Sequence, residues 1–239
     1  MKQVVLCLSA FSLGLASVAA HAGYLDALKG HEGGDSYSII NEKGTALGKY
    51  QITAGTWATL GYTQGSGGNW SNYTFTDKAR AAGVSSLDDL RYSEAGKALQ
   101  ERAVNELTIS NWNSMSSQTR GLVGQTVNGV QITQESLLDA AHFLGSGALN
   151  DWVASGFDPN ALPESYLAAN GLSSYAQLQD LILKRMASIN GNSYDGFGYT
   201  NSYSVGGMYG ATSDFPGFGS KRPVLIQEVP PYQGEKKTL

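Results

Sequence analysis

The chain has 239 residues, of which only 15% are charged, and a formal net charge of -4. That length suffices for one substantial core with some decoration, or for two small domains. A mildly acidic chain without a basic stripe excludes nucleic acid as an expected partner.

In chain order, Lys2 supplies a small positive start, Val4 to Ala19 is apolar or small, and Ala20-His21-Ala22 matches an A-x-A cleavage pattern. Residues 1–22 therefore read as a secretory signal peptide, with the mature chain starting near Gly23. A buried N-terminal helix is the alternative. The apolar run is too short to span a membrane, so no membrane span is expected. Cys7 lies inside this segment, so the mature chain carries no disulfide and no thiolate nucleophile. Periplasmic or secreted localisation follows as the expectation.

Helical patterns dominate what comes next. Tyr24 to Lys29 reads as a short helix, with Leu25 and Leu28 on one face and Gly30, Gly33 and Gly34 breaking it. Ala54 to Leu60 is another short helix. Residues 63–73, rich in Gly, Ser, Asn and Thr, read as a loop in which Trp70 and Tyr73 can stack on sugars. Trp57 is expected in the core, and Trp112 and Trp152 at helix ends. Ser93 can cap a long helix reaching about Met115, with Leu99, Ala103 and Leu107 along one face.

Val127-Asn128-Gly129-Val130 carries a tight-hairpin signal, because both central residues of a type I′ turn need φ > 0. Thr133 can cap the next helix, with Ile132 stapled to Leu137 and Gly145 ending it. The last helix starts after Ser174, with Gln177 in the capping-box position, and runs to Gly191. Residues 193–239 form a tail rich in Gly, Tyr and Pro without a core-forming period. It either wraps the domain or is disordered. The expectation is a mainly α single domain, residues 23–192, with a small β-hairpin.

Glu32 lies in Gly30-His31-Glu32-Gly33-Gly34, and glycines there let a ligand approach the backbone closely. A carboxylic acid kept partly dry holds its proton to higher pH and can protonate a leaving oxygen. A solvated surface glutamate is the plain alternative. No zinc pattern, P-loop, dinucleotide fingerprint or nucleophile elbow occurs, so no metal and no cofactor is expected.

Glu32-Gly33-Gly34 followed by Gly44-Thr45-Ala46-Leu47-Gly48-Lys49-Tyr50-Gln51 resembles the signature of lysozyme-like lytic transglycosylases. There an E-S-x-G-type segment precedes G-A-x-G-x-x-Q. Ala140-Ala141-His142-Phe143-Leu144-Gly145-Ser146-Gly147 is similar to the downstream A-Y-N-A-G-x-G or A-A-H-x-x-G-x-G segment of such proteins. The resemblance covers about Tyr24 to Met186. It implies a lysozyme-like helical domain acting on peptidoglycan glycan strands, with Glu32 as the acid/base. Two departures stand out: Gly33 replaces the usual serine, and His142-Phe143 replaces the commoner Tyr-Asn.

Family members resemble the substrate-assisted exceptions among glycosidases, in which one glutamate serves as acid and then base. The muramic N-acetyl group steadies the cation and its own 6-hydroxyl attacks, giving a 1,6-anhydro end. Tyr37, Asn41, Tyr50, Gln51 and His142 are the substrate-binding candidates. His142 either supports the acid or packs in the core, and Tyr37 and Tyr50 are alternatives for the supporting task. Gln51 hydrogen-bonds backbone or sugar. A second carboxylate, Asp35 or Glu42, would make the protein a hydrolytic muramidase. A third reading is a non-catalytic glycan-binding module docked on an envelope or secretion machine.

Overall fold

The structure, a computed structural model, describes residues 23–191. The expected signal peptide and the tail lie outside the described residues. Helix α1 covers residues 23–31. Strands β1 (Ala46–Leu47) and β2 (Ile52–Thr53) precede α2 (Ala54–Thr59). Strands β3 (Thr63–Gly65) and β4 (Tyr73–Phe75) lead to α3 (Asp77–Ala81), α4 (Leu87–Tyr92), the long α5 (Glu94–Ser114) and α6 (Ser117–Arg120). Strands β5 (Thr126–Val127) and β6 (Val130–Gln131) introduce α7 (Gln134–Leu144). Helices α8 (Ser146–Ala154), α9 (Ser165–Asn170) and α10 (Tyr175–Ile189) follow. The fold is mainly α with small antiparallel strand pairs, β1–β2, β3–β4 and β5–β6.

Helix α7 is the axis of the domain. Every residue from Ser136 to Leu144 is buried, and the helix packs against α5, α8 and α10. A helix buried all round needs well-satisfied ends. Thr133 accepts from the Ser136 N–H while the Ser136 hydroxyl oxygen accepts from the Thr133 N–H, and Gly145 at φ 77° ends it. Helix α5 begins where expected: the Ser93 hydroxyl accepts from the Gly96 N–H at 2.9 Å. Leu99, Ala103, Val104 and Leu107 form its buried face. On α10 the buried stripe is Leu178, Ile182, Leu183, Arg185 and Met186, with an arginine among apolar residues.

The Asn128-Gly129 hairpin forms with both φ angles positive, 49° and 81°. Gln177 bonds one residue earlier than a capping box requires, accepting from the Ser173 N–H at 2.8 Å while Ser174 caps the helix. Helix α1 runs through Gly30 to His31, so the break comes later than the first glycine suggested.

Residues 63–73 are not a loop. Thr63 pairs with Phe75 and Gly65 with Tyr73 in a hairpin. Trp70, expected as a sugar platform, is only 5% exposed and packs 6.3 Å from the Trp57 ring. The burial of two large aromatic rings outweighs the polar turn composition around them. Trp57 and Trp152 are fully buried.

Candidate active site

At the end of α1 the Lys29 carbonyl accepts from both the Glu32 and Gly34 N–H groups, turning the chain sharply. Glu32 thereby points inward and is 2% exposed. Gly33 donates its N–H to the Lys49 carbonyl at 3.0 Å, which seats the β1–β2 turn against the acid. A Cβ at Gly33 would overlap the Gly48 carbonyl oxygen. A serine at this position, as in the motif the chain resembles, would therefore clash with the backbone.

The β1–β2 turn, Gly48 to Gln51, is held on both sides. Gln51 adopts φ 46°, a left-handed backbone that costs a non-glycine residue on the order of 1–3 kcal/mol. Its N–H and its side-chain Nε2 both donate to the Gly48 carbonyl, at 3.2 and 2.8 Å. Buried Gln100, on α5, accepts from the Lys49 N–H at 3.3 Å and donates to the Tyr37 and Leu90 carbonyls at 2.9 and 2.8 Å.

Beside it, Glu101 accepts from the Tyr37 hydroxyl at 2.6 Å, the Tyr50 hydroxyl at 2.8 Å and Lys49 Nζ at 2.8 Å. Burial alone would raise the Glu101 carboxyl, but Lys49 and the two hydroxyls hold it below its ordinary value. The Lys49 ammonium also lies 5.4 and 5.0 Å from the Tyr37 and Tyr50 ring centroids.

Of the residues expected to bind substrate, Tyr37, Tyr50 and Gln51 thus surround one turn. Asn41 instead braces a neighbouring bend, its Oδ1 accepting from the Thr45 and Ala46 N–H groups at 2.7 and 3.1 Å. His142 is 1% exposed, and its Nε2 donates to the Tyr50 carbonyl at 3.0 Å. Burial, reinforced by the Arg185 charge, lowers its pKa to about 4, so it is neutral at physiological pH. His142 therefore connects the second sequence block to the turn beside the acid.

Arg185, Asp139 and His31 gather around Glu32. Arg185 Nη2, from α10, donates to Glu32 Oε1 at 2.7 Å and to Asp139 Oδ1 at 2.9 Å, and Arg185 Nε reaches Asp139 Oδ2 at 3.2 Å. His31 Nδ1 lies 3.1 Å from Asp139 Oδ1. Burial pushes the Glu32 pKa up to about 8, Arg185 pulls against it, and the Asp139 charge adds to the push. Burial would raise Asp139 as well, yet Arg185 and His31 hold it well below the carboxylate range. The site thus offers a carboxylic acid that keeps its proton at neutral pH.

His31 Nε2 also lies 3.2 Å from Ser188 Oγ, so Ser188, His31 and Asp139 follow the order of a nucleophile, a base and an orienting acid. Ser188 sits in the last turn of α10, however, where carbonyl groups point outward and the dipole is negative. That end of a helix opposes an oxyanion rather than stabilising one.

The residues that sequence reasoning missed are Arg185, Asp139, Gln100 and Glu101. Arg185 and Asp139 did carry a signal: each is a charge on an otherwise apolar helical face. Among the described residues no group of three or more His, Cys, Asp or Glu side chains is placed to hold a metal ion, and no helix is long and apolar enough to cross a membrane. Comparison with protein-family models finds no match, and comparisons with curated proteins and with solved structures find none either.

Proposed function

We propose that the protein is an exported peptidoglycan lytic transglycosylase with a lysozyme-like domain, cleaving the MurNAc–GlcNAc β-1,4 bond with Glu32 as the single acid and base. One juxtaposition carries this reading. The Gly33 N–H on the Lys49 carbonyl and the His142 Nε2 on the Tyr50 carbonyl bring the two family-like sequence blocks together at one buried glutamate. Gly30 and Gly34 flank it with open space where a Cβ would stand, which suits close approach of a glycan.

In the reaction the Glu32 proton passes to the glycosidic oxygen as the C1–O bond breaks. The muramic N-acetyl oxygen closes on C1 and spreads the positive charge. The Glu32 carboxylate then takes the proton of the 6-hydroxyl, whose oxygen bonds to C1 and displaces the acetamido oxygen. Tyr37, Tyr50 and Gln51, at the turn that Gly33 seats, are the proposed substrate contacts.

The positions of the other carboxylates favour this outcome over hydrolysis. Asp35 is exposed and paired with Lys29 at 3.0 Å, and Glu42 is exposed in a turn. Asp139 is the carboxylate brought beside Glu32, and it is fully buried on Arg185. Mass spectrometry of fragments released from purified cell walls tests the proposal. Anhydro-muramic ends are expected. Reducing ends overturn it in favour of a muramidase, and wall binding without fragments in favour of a non-catalytic module.

A further inference from the structure

We propose that Glu101, on α5, is a substrate-binding residue: its Oε2 accepts a hydrogen bond from a neutral donor of the glycan, a sugar hydroxyl or an acetamido N–H group. The inference rests on the peptidoglycan reading for the choice of ligand and adds a contact that lies outside both family-like sequence blocks.

An ionised carboxylate offers about four lone-pair positions, two on each oxygen. On Glu101 both positions of Oε1 are taken, by the Tyr37 hydroxyl at 2.6 Å and by Lys49 Nζ at 2.8 Å. Oε2 accepts from the Tyr50 hydroxyl at 2.8 Å, which leaves it one position open to solvent. The carboxylate is also within reach of a ligand. The Glu101 side chain is 35% exposed, against 15% for Lys49, and Tyr50 is buried. Through the Gly33 N–H on the Lys49 carbonyl, this turn adjoins the residue that follows Glu32. A glycan strand held at Glu32 therefore has the turn as its neighbour.

The open position favours a neutral donor over a cation, because the Lys49 ammonium already sits on the same carboxylate and repels a second positive charge. Hydroxyl and amide N–H groups are what an N-acetylated glycan presents along its length. Burial would raise the Glu101 carboxyl, but Lys49 and the two tyrosine hydroxyls hold it below its ordinary value. It is thus ionised at neutral pH and too weak a base to activate a water. Those properties suit an anchor and not the second catalytic carboxylate of a muramidase.

The anchor is set before any ligand arrives. Gln100 holds the Lys49 N–H at 3.3 Å and the Tyr37 carbonyl at 2.9 Å. Glu101, the next residue, holds the far ends of the same two side chains. Such an acceptor loses little freedom on binding.

Carbon NMR of the full-length protein, with labelled Glu side-chain carboxyl groups, tests the inference. The ligand is a peptide-free tetrasaccharide of alternating GlcNAc and MurNAc, with sulfur in its glycosidic links so that it resists cleavage. The Glu101 signal, assigned by its loss in Glu101→Gln, is expected to move saturably with the tetrasaccharide and to stay fixed with ethylammonium chloride. Glu101→Gln, whose neutral amide makes weaker hydrogen bonds, is expected to bind the tetrasaccharide about 10-fold more weakly.

A Glu101 signal unmoved by the tetrasaccharide overturns the inference, as does an equal shift with ethylammonium or wild-type affinity in folded Glu101→Gln. Should that variant lose its near-ultraviolet circular dichroism, the wild-type titration decides, with the signal assigned through Glu101→Asp. Anhydro-ended fragments released from cell walls while the Glu101 signal stays fixed overturn this inference alone. Walls left undigested while the signal moves defeat the transglycosylase reading and leave the binding role of Glu101 standing.

Discussion

Gly33 shows how one residue departs from a motif for a reason local to the chain. Its N–H is spent on the Lys49 carbonyl and its missing Cβ leaves room for the Gly48 carbonyl. Because the clashing atoms are backbone, no side-chain rotation relieves them. Gly33→Ser, which restores the residue usual in the family resembled, is expected to destabilise the protein by about 1–3 kcal/mol, read as a lowered unfolding midpoint. Glu32, one residue earlier, was singled out by the motif resemblance, since its glycine neighbours alone fit a solvated surface glutamate as well. Its pairing with Arg185 was not legible, although Arg185 stands out as a charge on an apolar helical face, because the contact spans 153 positions in sequence and only tertiary packing of α10 makes it.

At the level of elements, the caps were the most legible features. Ser93, Thr133 and Ser174 each begin the helix they were expected to begin, because a side-chain acceptor for orphan N–H groups is a local requirement. The β3–β4 hairpin was not legible, since Trp57 and Trp70 supply the burial that overrides its loop-like composition. The role of α5 in the site was equally hidden: its hydrophobic face announced a packing helix, while Gln100 and Glu101 were ordinary polar residues in the pattern. Gln100→Ala would remove the donor to the half-buried Tyr37 carbonyl and the buried Leu90 carbonyl. It is expected to cost about 1–3 kcal/mol and to lower hydrogen-exchange protection at the Lys49 amide, whose acceptor it also removes.

At the level of the whole molecule, buried titrating groups shape stability against pH. Glu32 rises from its ordinary 4.5 to about 8, so the folded state binds more protons than the unfolded state between those values. Its contribution is complete below pH 4.5 and is lost as pH climbs to about 8. His142 falls from 6.5 to about 4, so its contribution is complete above pH 6.5 and is lost on acidification. Asp139, held low, adds to the loss in strong acid. Between pH 4.5 and 6.5 the Glu32 and His142 slopes oppose each other, giving a plateau. Above it Glu32 alone lowers stability by about 2 kcal/mol up to pH 8, and thermal unfolding of Glu32→Gln should lack that decline.

The mainly α class was legible at this scale because helix periods and caps repeat along the chain. The charged centre was not, because it joins α1, α7 and α10, which no short sequence window contains. Release of soluble fragments from purified cell walls by Glu32→Gln, compared with the wild-type protein, tests the central claim most directly. Release falling to background from a folded variant is the predicted result; release at the wild-type rate would contradict the assignment of Glu32 as the catalytic acid.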